Sequence, residues 1–208
     1  MPPKPQAVVF DIGNVLIEWN PERFYDNRLG PARRETLFSE VPLHAMNLAI
    51  DNGAPFRATI METADAHPDW ATEVRWWHDH WIEMASPRID HSIRLLYALK
   101  ARGVPVLALT NFGSDSFAFA CTQYAFFTDF DRTFVSGDLG VMKPDPSIYA
   151  ALERDTGIAP ERLLFTDDKA ENIAAAAVRG WQVHHFIGAE GWAKALVAAG
   201  LLSEKEAA

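Results

Sequence analysis

The stretch VVFDIGNVLIEW, residues 8–19, decides how the rest of the chain is read. Its apolar beginning reads as a buried β-strand that ends on a carboxylate, Asp11, and breaks at once into a turn containing Gly13 and Asn14. An acid at the carboxyl end of an apolar strand is how open α/β sheets present chemistry. Two residues on, where a second carboxylate would be the natural proton donor, stands Gly13.

Working outward, four more apolar segments read as buried strands: VPVLALT (104–110), RTFVS (132–136), RLLFTD (162–167) and WQVHHF (181–186). They alternate with helical patterns, the signature of a parallel sheet with helices on both faces. Ile89, Ile93, Leu96 and Leu99 share one helical face, with Gly103 as the stop. Further helices are expected from Pro146 to Glu153 and from Glu171 to Arg179. About 90 residues separate the first two strands, although a crossover needs only a dozen or more. A helix over about 88–102 can serve as the crossover. The remainder carries helical stretches at 21–29, 31–39, 42–51, 55–66 and 69–85, broken by Gly30, Pro42, Gly53 and Pro68. The expected architecture is therefore α/β: a Rossmann-like parallel sheet core formed by 1–17 and 87–208, with an inserted α-helical cap over 18–86. An insertion at that point sits above the sheet's carboxyl edge, where ligands bind.

Composition narrows the function. The chain has 208 residues, 49% of them hydrophobic, and a formal net charge of −9. Its lysines and arginines are scattered, which argues against a nucleic-acid partner, since duplex binding needs a basic stripe. No apolar run approaches the ~20 residues that span a bilayer, so no membrane role is expected. MPPKPQ leads into an apolar run too short for a signal peptide. The single Cys121 excludes an internal disulfide, fits a reducing cytoplasm and reads as an inert core thiol.

In a parallel sheet all strand ends face one way, so four groups can converge. They are Asp11, then Thr110 and Asn111 after the second strand, then Lys143 in SGDLGVMKPDPSIY, then Asp167 and Asp168 in TDDKAEN. Together they are the materials of a phosphoryl-transfer site. Asp11 can attack phosphorus and form an aspartyl-phosphate, dividing one hard hydrolysis into two steps. Attack of an anion on an anion needs charge neutralisation, which Mg²⁺ supplies. Asp11 and Asp168, with Asp167 bound directly or through an intermediary, offer the hard oxygens that Mg²⁺ requires. Lys143 would offset charge on the phosphoryl oxygens and on Asp11. Thr110 and the Asn111 backbone would donate hydrogen bonds to the same oxygens.

DIGNVL (11–16), LALTN (107–111), Lys143 in GVMKPDPSIY and FTDDKAEN (165–172) resemble, in order, the four motifs of the haloacid dehalogenase-like hydrolase superfamily. The resemblance implies a Rossmann-like sheet and a helical cap of the family's first type. FDIGNV with DDxxxN is most similar to the branch containing glucose-1-phosphatase and the phosphatase domain of epoxide hydrolases. It therefore implies a Mg²⁺-dependent phosphatase for a small phosphorylated metabolite such as a sugar phosphate. The resemblance also implies that the backbone carbonyl of residue 13 ligates the metal, a role that glycine preserves. Gly13 departs from the family's DxD, whose second Asp is general acid and base. An acidic leaving group, a water on Asn14 or a cap residue is expected to supply the proton instead.

Two competing readings follow from the same residues. In hydrolytic dehalogenation the aspartate attacks carbon without a metal, but two carboxylates in TDDKAEN would repel a carboxylate substrate. A phosphate-metabolite binding protein with little turnover is the reading that Gly13 motivates. Elsewhere, Trp70, Val74, Trp77 and Trp81 share helical spacing and are expected to form the cap's core, with Trp76 or His80 as the lesser candidates to face the site. His78 and His80 point apart on a helix and cannot share a metal. His184 and His185 are expected to be packed or exposed, and His44 to stand clear of the site.

Overall fold

In the computed structural model, which describes residues 2–208, the run after Gln6 forms β1 (Ala7–Phe10), all four residues buried. A tight turn follows, in which Asn14 takes the left-handed conformation with φ 54° and donates its backbone N–H to Ile17 O at 2.6 Å. Six helices come next: α1 (Pro21–Leu29), α2 (Pro31–Glu40), α3 (Leu43–Asp51), α4 (Phe56–Ala66), α5 (Ala71–Asp79) and α6 (Trp81–Met84). The chain then returns through α7 (Asp90–Ala101) to β2 (Val106–Thr110). The remaining elements are α8 (Ser114–Gln123), β3 (Arg132–Val135), α9 (Ser136–Leu139), α10 (Pro146–Thr156), β4 (Leu163–Asp167), α11 (Ala170–Val178), β5 (Gln182–His185) and α12 (Ala189–Ala198).

The five strands form one parallel sheet in the order β3-β2-β1-β4-β5. β1, β2 and β4 are buried along their whole length, as central strands covered on both faces must be. Alternation divides the two faces. Val8 and Phe10 join the larger cluster with Leu96, Leu99 and Trp192. Ala7 and Val9 pack on the other side with Leu109, Phe165, Ile148 and Trp181. The chain runs from β1 out through β2 and β3, then crosses to β4 on β1's other flank. The order therefore switches beside β1, the place where open α/β sheets leave a crevice.

The expected strands all form, each within two residues of its predicted limits. The helical stretch expected over 69–85 forms but is not continuous. It divides into a 3-10 turn at Pro68–Trp70, then α5, then α6, with His80 outside helical geometry at φ −122°. The His80 ring bonds Glu83 Oε1 at 2.7 Å, a local contact that competes with continuing the helix. Cys121 lies in α8, and neither α8 nor α12 was expected from the sequence.

The helical insertion leaves and re-enters the sheet at one place. Glu18 N donates to Pro87 O at 2.9 Å, Asn20 N to Met84 O at 2.9 Å, and Ile89 N to Leu16 O at 2.8 Å. Arg23 joins both ends by bonding the Glu18 carboxylate and the Ser86 carbonyl. A second seam runs from the end of α3 to the loops after β2 and β3. There Ser136 Oγ donates to Asp51 O at 2.5 Å and accepts from Phe112 N at 2.9 Å. A Cβ on Gly113 would lie 2.5 Å from Ile50 Cγ2, so this approach requires glycine.

Candidate active site

Parallel register carries the ends of β1, β2 and β4, and the loop after β3, to one edge. Asp11 follows β1 directly, and its backbone N–H donates to Thr166 O at 2.9 Å, which sets it beside Asp167 at the end of β4. Lys143 reaches in from the loop before α10. Its Nζ lies 2.9 Å from Asp11 Oδ1 and 2.7 Å from Asp167 Oδ2, and it donates to Leu109 O at 2.8 Å. The ammonium is thus buried, with three oxygens around it.

The surrounding amides hold these charges in place. Asn111 Oδ1 accepts from Lys143 N at 2.8 Å, while its Nδ2 donates to Lys143 O at 2.9 Å, so one side chain clamps the lysine's backbone. Asn172 Nδ2 donates to both Asp167 oxygens at 3.0 Å, and Lys169 N donates to Asp167 Oδ1 at 2.8 Å. Asn14 Nδ2 donates to Asp168 Oδ2 at 3.0 Å, and Asn14 Oδ1 accepts from Trp19 N at 3.0 Å. The left-handed Asn14 thereby ties the turn after Asp11 to the acidic doublet. The clamp made by Asn111 and the tie made by Asn14 were not anticipated. Their only sequence signal is an amide in the turn or loop that follows a strand end, a place where side chains readily bond the backbone.

One carboxylate oxygen from each of Asp11, Asp167 and Asp168 lies within 4.8 Å of the other two. Burial raises the Asp11 carboxyl to about 7; Lys143 opposes the shift, and Asp167 and Asp168 add to it. Burial alone would pull Lys143 down, but the two carboxylates outweigh it and hold the ammonium above its ordinary range. Three like charges so close, in a hard-oxygen set, fit a divalent cation of the Mg²⁺ type.

Asp11, Gly13, Asn111, Lys143 and Asp168 line a cavity of about 310 Å³. Thr110 and Asp167 do not. Thr110 is 1% exposed at the end of β2, and the Asp167 oxygens are engaged by Lys143, Lys169 and Asn172. The opposite wall comes from the insertion and the approach to it: Trp19, His44, Asn47, Leu48, Asp51, Trp77 and Trp81. Val74, Trp77 and Trp81 are buried, as the helical spacing predicts, while Trp70 is only partly so. It is Trp77 and Trp81, rather than Trp76 or His80, that also reach the cavity. Trp19 packs against both, at centroid distances of 5.9 and 5.8 Å. His44, expected to stand clear of the site, instead lies on the rim of the cavity, 3.3 Å from Glu22 and mostly exposed. His184 packs on Trp192, and His185 Nε2 lies 2.9 Å from Asp168 O. Cys121 is partly buried, which pushes its thiol up and away from reactivity.

Comparison with known proteins places this geometry. The family described as haloacid dehalogenase-like hydrolase matches residues 5–180. A sesquiterpene phosphatase of Aspergillus oryzae is 27% identical over 196 residues, covering 84% of this chain and 86% of that protein. A solved HAD-family enzyme from Bacteroides thetaiotaomicron superposes with a TM-score of 0.67 at 23% identity, over 93% of this chain and 99% of that one. Another structure of that enzyme is a complex with magnesium and inorganic phosphate. The L-2-haloacid dehalogenase of Xanthobacter autotrophicus gives 0.63 at 19% identity, over 96% of this chain and 85% of that one. Among the described residues no helix is long and apolar enough to cross a membrane.

Proposed function

Because this chain belongs to the haloacid dehalogenase-like hydrolase family, we propose that it is a Mg²⁺-dependent phosphatase of a small, sugar phosphate-like metabolite. The observation that carries the reading is the Lys143 ammonium bonded to Asp11 beside a carboxylate trio within 4.8 Å. In this reading 1–17 and 87–208 perform the chemistry and 18–86 covers it. The proposal places the enzyme in a reducing cytoplasm, where Cys121 stays a thiol.

Asp11 attacks phosphorus, and its new Oδ–P bond forms as the bond from phosphorus to the leaving oxygen breaks. Water then cleaves the aspartyl-phosphate and releases phosphate. Asp11, Asp168 and the Gly13 carbonyl would hold Mg²⁺, which when bound neutralises charge on the phosphoryl oxygens. Lys143 opposes the burial that would protonate Asp11, keeping the nucleophile available, and lies where phosphoryl charge develops. Asp167 holds Lys143 in place, and Asn172 and Lys169 hold Asp167. Asn111 lines the cavity, with its backbone N–H as the donor toward the phosphoryl oxygens and Thr110 buried beside it.

Likeness to a haloacid dehalogenase at 19% identity speaks to fold alone. The trio of carboxylates would repel a haloacid carboxylate, which supports phosphorus rather than carbon as the centre attacked. The deciding experiment is phosphate release from a panel of phosphorylated metabolites with and without Mg²⁺. Release should require the metal and vanish in Asp11→Asn. Turnover that survives that substitution would remove Asp11 as nucleophile, and metal-free halide release from a 2-haloacid would replace the reading altogether.

A further inference from the structure

We infer that Asp51, at the end of α3, is the general acid and base that Gly13 does not provide, an assignment resting on the phosphatase reading above. In-line displacement sends the leaving oxygen away from Asp11, across phosphorus and toward the helical insertion. A proton donor is therefore needed on that wall. Only two titratable side chains of the insertion line the cavity, His44 and Asp51. His44 is turned toward Glu22, and its ring lies against Phe38 at 5.3 Å. Asp51 is held firmly. Asn47 Nδ2 donates to its Oδ2 at 2.8 Å, and its carbonyl accepts from Ser136 Oγ of the sheet side. The close contact of Ile50 with Gly113 fixes the same turn against the loop after β2. This carboxyl thus moves with the catalytic edge and not with the insertion alone.

Burial raises Asp51 to about 7, against the opposing Gly113 amide, Lys169 and Asn47. At neutral pH it therefore holds a proton in a good fraction of molecules, as a general acid must. Protonated Asp51 gives that proton to the leaving oxygen as its bond to phosphorus breaks. The resulting carboxylate then takes a proton from the water that attacks the aspartyl-phosphate, and the cycle closes with Asp51 protonated again. The other ionisable groups facing this cavity are Asp11, Lys143, Asp168 and Lys169 on the sheet side and His44 on the insertion.

The test compares an alkyl phosphate, whose poor leaving group needs protonation, with p-nitrophenyl phosphate, whose leaving group does not. Asp51→Asn should lower kcat/KM at least about 10²-fold on the alkyl ester. The loss should be clearly smaller on the aryl ester, and the fall in alkyl turnover above about pH 7 should be missing in the variant. A Cβ at Gly13 would meet nothing nearer than Trp19 Cβ at 4.0 Å, so Gly13→Asp can place a carboxyl beside the nucleophile. Added to Asp51→Asn, it should restore alkyl ester turnover. Equal losses on both esters, unrelieved by Gly13→Asp, would make Asp51 a structural residue and overturn the assignment. If the unsubstituted protein releases phosphate from no monoester with Mg²⁺ present, the phosphatase reading fails first and takes Asp51 with it.

Discussion

The floor and the roof of the cavity are built on opposite principles. On the floor, the buried Lys143 is bonded to Asp11 and, behind the surface, to Asp167, and Asn14, Asn111 and Asn172 fix the loops that carry them. On the roof, Trp19, Trp77, Trp81 and Leu48 present mostly apolar surface, with Asn47 and Asp51 as its polar groups beside the rim His44. A charged cluster out of water survives only when every member is paired, so the floor admits little variation. An aromatic wall asks only for shape and apolarity, so it can change with what is bound. The floor thus sets the reaction, and the roof sets what is attached to the reacting group.

The most severe way to break this division is to unpair the floor. Lys143→Met leaves Asp11 and Asp167 buried without their cation. Turnover should fall by ~10²–10³-fold, and urea unfolding should show a cost of ~3–5 kcal/mol. A variant of full stability would mean that the floor is not a mutually dependent unit. Milder damage is expected from Asn172→Ala, which frees Asp167 to swing from Lys143. Mg²⁺ titrations of activity should show the metal bound ~10–100-fold more weakly, with the fold retained by circular dichroism.

On the roof, Leu48 is 53% exposed yet lines the cavity, so trimming it should change selectivity and little else. Leu48→Ala should raise KM for apolar monoesters by about tenfold or less and leave kcat for the smallest substrate nearly unchanged. An equal kcat loss across all substrates would dissolve the distinction between the two walls. The last effect is on stability. From the ordinary 3.8 up to about 7, an unfolded chain has released the proton that folded Asp51 keeps. Its contribution to stability is therefore complete at low pH and lost as pH rises through that window. Asp51→Asn removes the penalty, so its Tm relative to the unsubstituted protein should climb by about 5–10 °C between pH 5 and pH 8. A constant difference would show that Asp51 ionises freely.

The same division explains what the sequence disclosed. The floor was legible because strand ends are punctuated: an apolar run stops on Asp11, on Thr110 and Asn111, or on Asp167 and Asp168, and parallel pairing brings those ends together. Lys143 was legible from its loop before a proline-initiated helix. The fine placement was not. Nothing in one dimension says that Asn111 clamps Lys143 from 32 residues away, or that Thr110 and Asp167 lie behind the surface their neighbours expose. On the roof the helices were legible but their rotations were not, because tertiary packing decides which side of an aromatic helix meets the cavity. Trp77 and Trp81 satisfy the spacing of a buried core and line the cavity at the same time. Asp51 is a helix-terminal acid with no sequence signal of its own, because Ser136 and Gly113, which anchor its turn, lie far along the chain.

The paired crossing at Glu18–Pro87 and Ile89–Leu16 has a consequence for how such a chain can change over time. Seen from the sheet, everything between is a hairpin whose stem is already closed, so a shorter or longer helical loop could be spliced onto the same stem. Loop entropy grows only slowly with length, by ~0.6 kcal/mol for each doubling, so such a graft would leave the catalytic edge almost undisturbed. New substrates could thus be reached by exchanging one contiguous stretch of gene.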